Sequence, residues 1–196
     1  MDLLRVEHIC KIYGSGEAAV HALKDVSFSV PKGEFVAIVG ESGSGKSALL
    51  NMIGTLDIPT SGQVFINGKN TFAMKEKALT VFRRRNIGFI FQAFNLIPEL
   101  TVEQNMIFPL LLDHQRPNKR YLDELMSRPS LVLADEPTGN LDSQNSSEVL
   151  ALLKETARQY EQTVIMITHN PGIAHTTDRV FRVSDGVLTD LGGCRE

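Results

Sequence analysis

Residues 35–53 read F-V-A-I-V-G-E-S-G-S-G-K-S-A-L-L-N-M-I, and this stretch decides the fold. Phe35 to Val39 form a short, continuous apolar run, as expected of a strand that is buried on both faces. Residues 40–47 fit the pattern G-x-x-x-x-G-K-[ST], and the residues from Ala48 onward begin a helix. A strand, a glycine-rich loop and a helix in this order predict a loop that wraps around phosphate groups.

The loop residues suit this chemistry one by one. Glycines let the backbone fold tightly with its N–H groups pointing inward, and the N-terminus of the following helix adds a partial positive charge. Lys46 is expected to reach the β- and γ-phosphates, and the Ser47 hydroxyl to ligate Mg²⁺. We therefore expect a nucleoside triphosphate to bind at the loop residues Gly40, Glu41, Ser42, Gly43, Ser44, Gly45, Lys46 and Ser47.

Composition narrows the class of protein. The chain has 196 residues, of which 42% are hydrophobic and 22% charged, enough for one α/β domain with its own core. The net charge of −3 gives no reason to expect a nucleic-acid partner. Residues 83–85 form the only dense basic run, and they fall in an expected amphipathic helix, where a solvated face explains them.

The expected location is cytoplasmic. Cys10 and Cys194 lie near opposite ends of the chain, without a C-x-x-C pair, which favours a reducing compartment. The N-terminus lacks the basic start and apolar core of a signal peptide. The longest apolar run, residues 106–112, is too short for a membrane span and contains Pro109. Any membrane role is therefore expected to come through a partner protein.

Hydrophobic periodicity predicts the remaining elements. Apolar and polar residues alternate in part over residues 3–9 and 26–30, which favours antiparallel strands. Further strands are expected at 63–67 and 87–91, and a helix is expected over 75–85. Continuous apolar runs at 131–134 and 164–167 are typical of central parallel strands. Between them a helix is predicted over residues 143–160, with Val149, Leu153 and Ala157 on one face at a spacing of four residues. The dipeptide Asp185-Gly186 predicts a hairpin.

Two carboxylates follow one of the predicted central strands. Residues 131–136 read L-V-L-A-D-E, so Asp135 and Glu136 lie at the carboxyl end of that strand, where open α/β sheets place ligands. We expect Asp135 to hold Mg²⁺, directly or through water, and Glu136 to polarise the water that attacks the γ-phosphate.

Residues 135–142, D-E-P-T-G-N-L-D, resemble the Walker B motif and D-loop of ABC-type ATPases. His169 in I-M-I-T-H-N is similar to the switch histidine of that family, and Gln92 in F-I-F-Q is similar to its Q-loop glutamine. The resemblance implies that His169 contacts the γ-phosphate and holds Glu136 in line, and that Gln92 senses Mg²⁺. Tyr13 in K-I-Y-G resembles the aromatic residue that stacks on adenine.

The resemblance covers nearly the whole chain and implies a fold and a role. The implied fold is α/β, an ABC-type P-loop NTPase with a mostly parallel central sheet flanked by helices and an N-terminal antiparallel subdomain, in one domain over residues 1–196. F-N-L-I-P-x-L-T-V after Gln92 and P-T-G-N-L-D after Glu136 resemble the motifs of the branch that serves lipoprotein release, macrolide export, cell division and peptide-antibiotic resistance. The resemblance thus implies ATP and Mg²⁺ as cofactors, an integral membrane permease as partner, and a homodimer peripheral to the membrane.

One family motif is missing. The L-S-G-G-Q signature occurs nowhere in the chain, and Gln92 and Asp135 are only 43 positions apart, too few for a full helical subdomain. We expect a reduced subdomain over about residues 95–128. A natural deletion, an engineered deletion and an omission from the printed sequence would each produce this chain. Because family members use the signature to contact the γ-phosphate held by the other subunit, we expect strongly reduced hydrolysis.

Several functions stay open at this point. The leading one is the ATP-hydrolysing subunit of an ABC transporter, and the alternative is a nucleotide-binding module with little or no turnover. A soluble ABC ATPase acting on DNA or ribosomes fits less well, because the chain lacks long insertions and a basic surface. A small-molecule kinase would not explain D-E-P-T-G-N-L-D or His169. The transported substrate is not encoded in these motifs.

Overall fold

Two β-sheets with packed helices form the part of the chain that the computed structural model describes, which is residues 1–93, 97, 99–101, 104, 105 and 128–193. The strands are β1 Asp2–Tyr13, β2 Val20–Pro31, β3 Phe35–Val39, β4 Ser61–Ile66, β5 Lys69–Asn70, β6 Ile87–Ile90, β7 Leu131–Asp135, β8 Thr163–Ile167, β9 Arg179–Ser184 and β10 Val187–Asp190. The α-helices are α1 Lys46–Ile53, α2 Glu76–Asn86, α3 Ser143–Gln159 and α4 Pro171–Ala174.

The larger sheet contains the strands that carry the sequence motifs. Its order is β10-β9-β3-β8-β7-β6, and all neighbouring strands are parallel except β10, which runs antiparallel to β9. The side chains of β3 and β8 are almost wholly buried, which explains why both strands read as continuous apolar runs. The predicted mostly parallel α/β sheet is confirmed.

The smaller sheet has the order β2-β1-β4-β5 and is antiparallel throughout. It confirms the N-terminal antiparallel subdomain. Strand β1 extends to Tyr13, beyond the predicted strand over residues 3–9. Its pairing with β2 shifts register near His8 and Cys10, and such bulges interrupt the alternation on which the prediction relied.

Helix α1 lies in the core between the sheets. Leu49, Met52 and Ile53 are completely buried, in one cluster with side chains of β1, β3, β4, β7 and β8. Full burial of a Leu, Ile or Met side chain contributes about 1.5–3 kcal/mol, so the helix after the glycine-rich loop is firmly held. The loop therefore starts on a central strand and ends on a core helix.

Helix α3 agrees with the prediction in extent, but only two of the three apolar residues expected on one face pack on the sheet. Asp142 caps its N-terminus, where the carboxylate accepts a hydrogen bond of 2.8 Å from the Asn145 N–H. Leu153 and Ala157 pack on the sheet, whereas Val149 is 37% exposed and Leu150 packs there instead. The residues that pack on the sheet do not keep a strict spacing of four, because that spacing drifts away from the 3.6-residue turn.

The hairpin predicted at Asp185-Gly186 is confirmed. Both residues have positive φ, 49° and 79°, as a two-residue turn between strands with right-handed twist requires. In the described residues, no helix is both long and apolar enough to cross a membrane. Most of the reduced helical subdomain expected over residues 95–128 lies outside the described residues, as does Cys194.

Candidate nucleotide-binding and catalytic site

The predicted site residues gather at one edge of the larger sheet. Because β3, β6, β7 and β8 are parallel, their carboxyl ends meet there. The glycine-rich loop leaves β3, Gln92 follows β6, the acidic pair ends β7, and His169 follows β8. Tyr13 alone comes from the smaller sheet, as the last residue of β1.

Gly40 and Gly45 let the loop pass against other backbone segments. A Cβ on Gly40 would lie 2.2 Å from the carbonyl oxygen of Val183, and one on Gly45 would lie 2.3 Å from that of Ala22. Gly43 has positive φ, 77°, and no heavy atom within 4 Å of an added Cβ. The first two glycines are required by contacts within the protein, whereas Gly43 faces open space.

The β9–β10 turn holds the loop from the opposite side. The Gly186 N–H donates to the Ser44 carbonyl at 2.9 Å, and the Gly186 carbonyl accepts from the Lys24 N–H at 2.8 Å. Ser44 is 7% exposed, and its N–H donates to the Glu41 carbonyl at 3.2 Å. The loop is thereby fastened to β2 and to the hairpin.

The Lys46 ammonium lies over the start of the loop. It donates to the carbonyl oxygens of Gly40 at 3.0 Å and Glu41 at 2.6 Å, and its side chain is almost completely buried. Burial lowers the pKa of Lys46, while the negative charges of Glu136 and Asp135 oppose that shift. A cation held among backbone carbonyls beside two carboxylates is well placed to exchange those partners for phosphate oxygens.

Asp135 ends β7 opposite Ser47 of the loop. The Ser47 side chain lies near enough to the Asp135 carboxylate to lower the pKa of that group. Burial and the neighbouring Glu136 raise the pKa of Asp135, against the lowering effects of Ser47, Lys46 and His169. Desolvated oxygen ligands beside a second carboxylate favour a hard divalent cation, so the donor set fits Mg²⁺.

Glu136 and His169 contact each other directly. The Nε2 atom of His169 lies 2.5 Å from Oε1 of Glu136, and the Glu136 side chain is 23% exposed. Glu136 has φ of 47°, unusual for a residue other than glycine, and is held there because its N–H donates to the Ile167 carbonyl at 3.1 Å. Backbone strain of this kind concentrates at functional positions.

Gln92 lies beside the segment that follows Glu136. The Asn140 side chain donates to the Gln92 carbonyl at 3.0 Å. The side-chain amide nitrogen of Gln92, Nε2, lies 3.1 Å from the position that a Cβ on Gly139 would occupy. A side chain at position 139 would therefore press on the Gln92 side chain. The structure thus brings Gln92 next to the acidic motif, although the two are 43 positions apart in sequence.

Tyr13 is the site residue that stands apart. Its ring is 40% exposed, and its hydroxyl donates to Oδ2 of Asp57 at 2.9 Å. Asp57 follows α1, and Lys11 joins it as a further partner at 2.8 Å. Burial and the Asp57 carboxylate raise the pKa of Tyr13.

Asp57, Lys11 and Gly186 contact site residues but were missed by the sequence analysis. The charged pair of Lys11 and Asp57 is separated by 46 positions, and Gly186 lies 142 positions after Ser44. Gly186 was noticed only as a turn residue. No local pattern could have connected these residues, because their contacts depend on how the two sheets meet.

Fold and site together define a P-loop NTPase. The comparisons with known proteins narrow this class. The family model described as ABC transporter matches residues 23–157. The chain is 39% identical to the ABC transporter ATP-binding protein YxdL of Bacillus subtilis, over 95% of this chain and 85% of that protein. It is also 39% identical to the lipoprotein-releasing system ATP-binding protein LolD of Geobacter metallireducens, over 94% of this chain and 97% of that protein.

Among solved structures, the fold is similar to the dimeric, post-hydrolysis structure of the ATP-binding cassette MJ0796 of Methanocaldococcus jannaschii bound to ADP and Pi. The TM-score is 0.82 at 33% identity, and the match covers 97% of this chain and 99% of that one. The chain therefore belongs to the ABC transporter ATP-binding family and is an ABC-type ATPase subunit.

The alignments also bear on the missing motif. The match to YxdL spans 220 positions, although this whole chain has 196 residues. The relative therefore has residues inside the aligned span that this chain lacks. This agrees with the short separation of Gln92 and Asp135 and with the absence of L-S-G-G-Q.

Proposed function

We propose that this chain binds MgATP and couples its hydrolysis to a membrane partner of the lipoprotein-release, macrolide-export or antimicrobial-peptide-resistance type. The observation that carries the proposal is the contact between His169 and Glu136 beside the glycine-rich loop. In this contact His169 orients Glu136, the candidate base. Lys46, Ser47 and Asp135 lie at the same edge of the sheet.

Nucleotide binding is proposed for the loop from Gly40 to Ser47, with Tyr13 stacking on adenine and Gln92 reaching the phosphate side. Lys46 would leave the carbonyls of Gly40 and Glu41 and donate to the β- and γ-phosphate oxygens. Backbone N–H groups and the N-terminus of α1 would face the same phosphates. All of these contacts favour negative charge, which a triphosphate supplies.

Ser47, Asp135 and Gln92 are proposed to hold Mg²⁺. The hydroxyl, the carboxylate and the amide oxygen are all hard donors, and the first two lie close enough for Ser47 to lower the pKa of Asp135. The ion would neutralise charge on the β- and γ-phosphate oxygens as it develops. Bringing a cation to Asp135 would also offset the burial and the nearby carboxylate that raise its pKa.

Glu136 and His169 are proposed as the catalytic pair. An ionised carboxylate only accepts hydrogen bonds, so His169 Nε2–H would donate to the ionised Glu136 across the 2.5 Å contact. The second Glu136 oxygen would then accept from the attacking water and align it with the γ-phosphate. His169, which is 47% exposed, would keep Glu136 in this orientation.

The partner and location follow from the family and stay proposals. The homodimer is supported by the dimeric cassette to which this fold is similar. An integral membrane permease would place the chain on the inner face of the cell membrane, in the cytoplasm. Co-purification of the chain with an integral membrane protein would test both.

A second candidate function is a nucleotide-binding module with little or no turnover. It is favoured by the absence of L-S-G-G-Q and by alignments longer than the chain. The loss of one preorganised donor to transition-state charge typically lowers a rate by about 10²–10³. The chain would then keep the pocket and lose most of the hydrolysis.

The two candidates are separated by measuring MgATP binding by calorimetry and phosphate release at saturating MgATP. Glu136→Gln tests the site, and Glu161→Gln is the matched control, since Glu161 is paired with Lys32 outside the site. Turnover that disappears only in Glu136→Gln supports the ATPase subunit. Binding without turnover in the unmodified chain supports the second candidate, and no binding contradicts both.

A further inference from the structure

We infer that Asp57, together with Lys11, is a positioning residue that orients the Tyr13 ring for stacking on the nucleotide base. The inference rests on the proposed nucleotide site. It adds Asp57, which none of the motifs contains, and it gives a role to Lys11, the first residue of K-I-Y-G.

Three side chains form the arrangement, which we call the Tyr13 support. The Tyr13 hydroxyl donates to one Asp57 oxygen at 2.9 Å, and the Lys11 ammonium donates to the other at 2.8 Å. The ammonium also lies 4.7 Å from the centre of the Tyr13 ring. Tyr13 is therefore held both at its hydroxyl and through its ring.

Lys11 and Asp57 are themselves fixed. The Lys11 ammonium donates to the Ile58 carbonyl at 2.7 Å, and the Ile58 N–H donates to Asp57 Oδ1 at 2.7 Å. The Lys11 side chain is 11% exposed and that of Asp57 33%. Hydrogen bonds between charged groups with limited access to water are stronger than neutral ones, so the pair forms a firm base for the ring.

The Tyr13 support connects the ring to the glycine-rich loop by two routes. Asp57 follows α1, which begins at Lys46 in the loop. Tyr13 pairs with Val20 on β2, two residues from Ala22, whose carbonyl closely approaches Gly45. Val20 and Ala22 are about 7 Å apart at the usual strand rise, so Tyr13 and Gly45 both lie against the same short stretch of β2.

This arrangement has a consequence for recognition. A ring that is 40% exposed would otherwise rotate among its side-chain conformers, and that freedom would be lost when a base stacks on it. With the hydroxyl bonded to Asp57, the ring is ordered before the nucleotide arrives. Removing the Asp57 side chain should therefore weaken the contribution of the base to nucleotide affinity and leave the contribution of the phosphates unchanged.

The test compares MgATP with magnesium tripolyphosphate, which has no base, by calorimetry on the purified chain. Tyr13→Phe keeps the ring and removes only its bond to Asp57, and Asp57→Ala removes the acceptor. We expect each variant to bind MgATP about threefold to tenfold more weakly, with tripolyphosphate affinity unchanged. The variant that combines Tyr13→Phe with Asp57→Ala should lose no more MgATP affinity than Asp57→Ala alone. Asp57→Asn, which retains an acceptor, should lose less MgATP affinity than Asp57→Ala.

Tyr160→Phe is the control, because the Tyr160 ring lies beside Arg128 at the end of α3. If Asp57→Ala lowered the affinities for MgATP and tripolyphosphate equally, Asp57 would have only a structural role and the inference would be overturned. Unchanged MgATP affinity in Tyr13→Phe and Asp57→Ala would also overturn it. Tyr13→Ala calibrates the stack. If it leaves the ratio of the two affinities unchanged, the proposed adenine contact itself fails, and if the unmodified chain binds neither ligand, the proposed site fails.

Discussion

The Nε2 atom of His169 lies 2.5 Å from Oε1 of Glu136, which joins the carboxyl ends of two adjacent parallel strands. Glu136 follows β7 and His169 follows β8, so the pair exists only because these strands are neighbours. A second histidine–carboxylate pair, His8 with Asp25 at 2.7 Å, lies on the surface of the smaller sheet, and both of its side chains are more than two-thirds exposed. The two pairs have similar geometry and very different surroundings.

His169→Ala should lower ATP turnover without abolishing MgATP binding. The variant removes the group that orients Glu136 and leaves the glycine-rich loop intact, so we expect a fall in rate of about 10²-fold or more. His8→Ala is the control, since it breaks the exposed pair. A steady-state phosphate-release assay with a parallel binding measurement checks this, and equal rates for the two variants would refute the role of His169.

Gly40→Ala should destabilise the protein more than Gly43→Ala. Both glycines have positive φ, but only the Gly40 Cβ would meet backbone, 2.2 Å from the Val183 carbonyl oxygen. Left-handed strain at Gly43→Ala is expected to cost about 1–2 kcal/mol, and the clash at Gly40→Ala about 1–3 kcal/mol more. Urea unfolding measures both, and a smaller loss at position 40 would contradict the packing of the loop on β9.

Thr55→Gly should stabilise the protein. Thr55 is buried with φ of 57°, and its hydroxyl has no hydrogen-bond partner within the described part of the chain. Glycine relieves the strain and removes the hydroxyl, for an expected gain of about 1 kcal/mol after its own entropy cost. Thermal unfolding tests this against Thr55→Ala, which keeps the strain and should gain less. A lower melting temperature for Thr55→Gly would count against the argument.

Asp190→Asn should matter at neutral pH and lose its effect in acid. The hydrogen bond from Arg179 lowers the pKa of Asp190, so the charged carboxylate contributes stability above its ordinary range near pH 4, and that stability is lost as pH falls below it. Both side chains are partly exposed, so the contribution is below about 1 kcal/mol. Unfolding measurements should show a smaller stability difference between the unmodified chain and Asp190→Asn at pH 3 than at pH 7. A larger difference at pH 3 would contradict a lowered pKa of Asp190.

Much of the site was predictable because its residues follow local patterns. The glycine-rich loop needs only the strand before it and the helix after it, and both were correctly placed by their apolar runs. Asp135 was placed by the strand that precedes it, since the carboxyl end of a parallel strand is a fixed position in such a sheet. The role of Gln92 came from resemblance alone, because a single glutamine has no pattern of its own.

The partners of these residues could not be predicted. Val149 was expected on one face with Leu153 and Ala157, but it is exposed because a spacing of four residues drifts away from the 3.6-residue turn. The bond between Tyr13 and Asp57 spans 44 positions, and that between Gly186 and Ser44 spans 142. Each depends on the angle at which the smaller sheet and the β9–β10 hairpin approach α1.

The sequence by itself determined the glycine-rich loop between β3 and α1 and the position of Asp135 and Glu136 at the end of β7, because each of these follows from a few neighbouring residues. Only the tertiary structure decided which of these groups touch. Packing of β7 beside β8 brings Glu136 to His169, and packing of β1 near the end of α1 brings Tyr13 to Asp57. Contacts between distant segments are selected by burial of the whole core, and that is a property of the folded chain rather than of any one stretch of it.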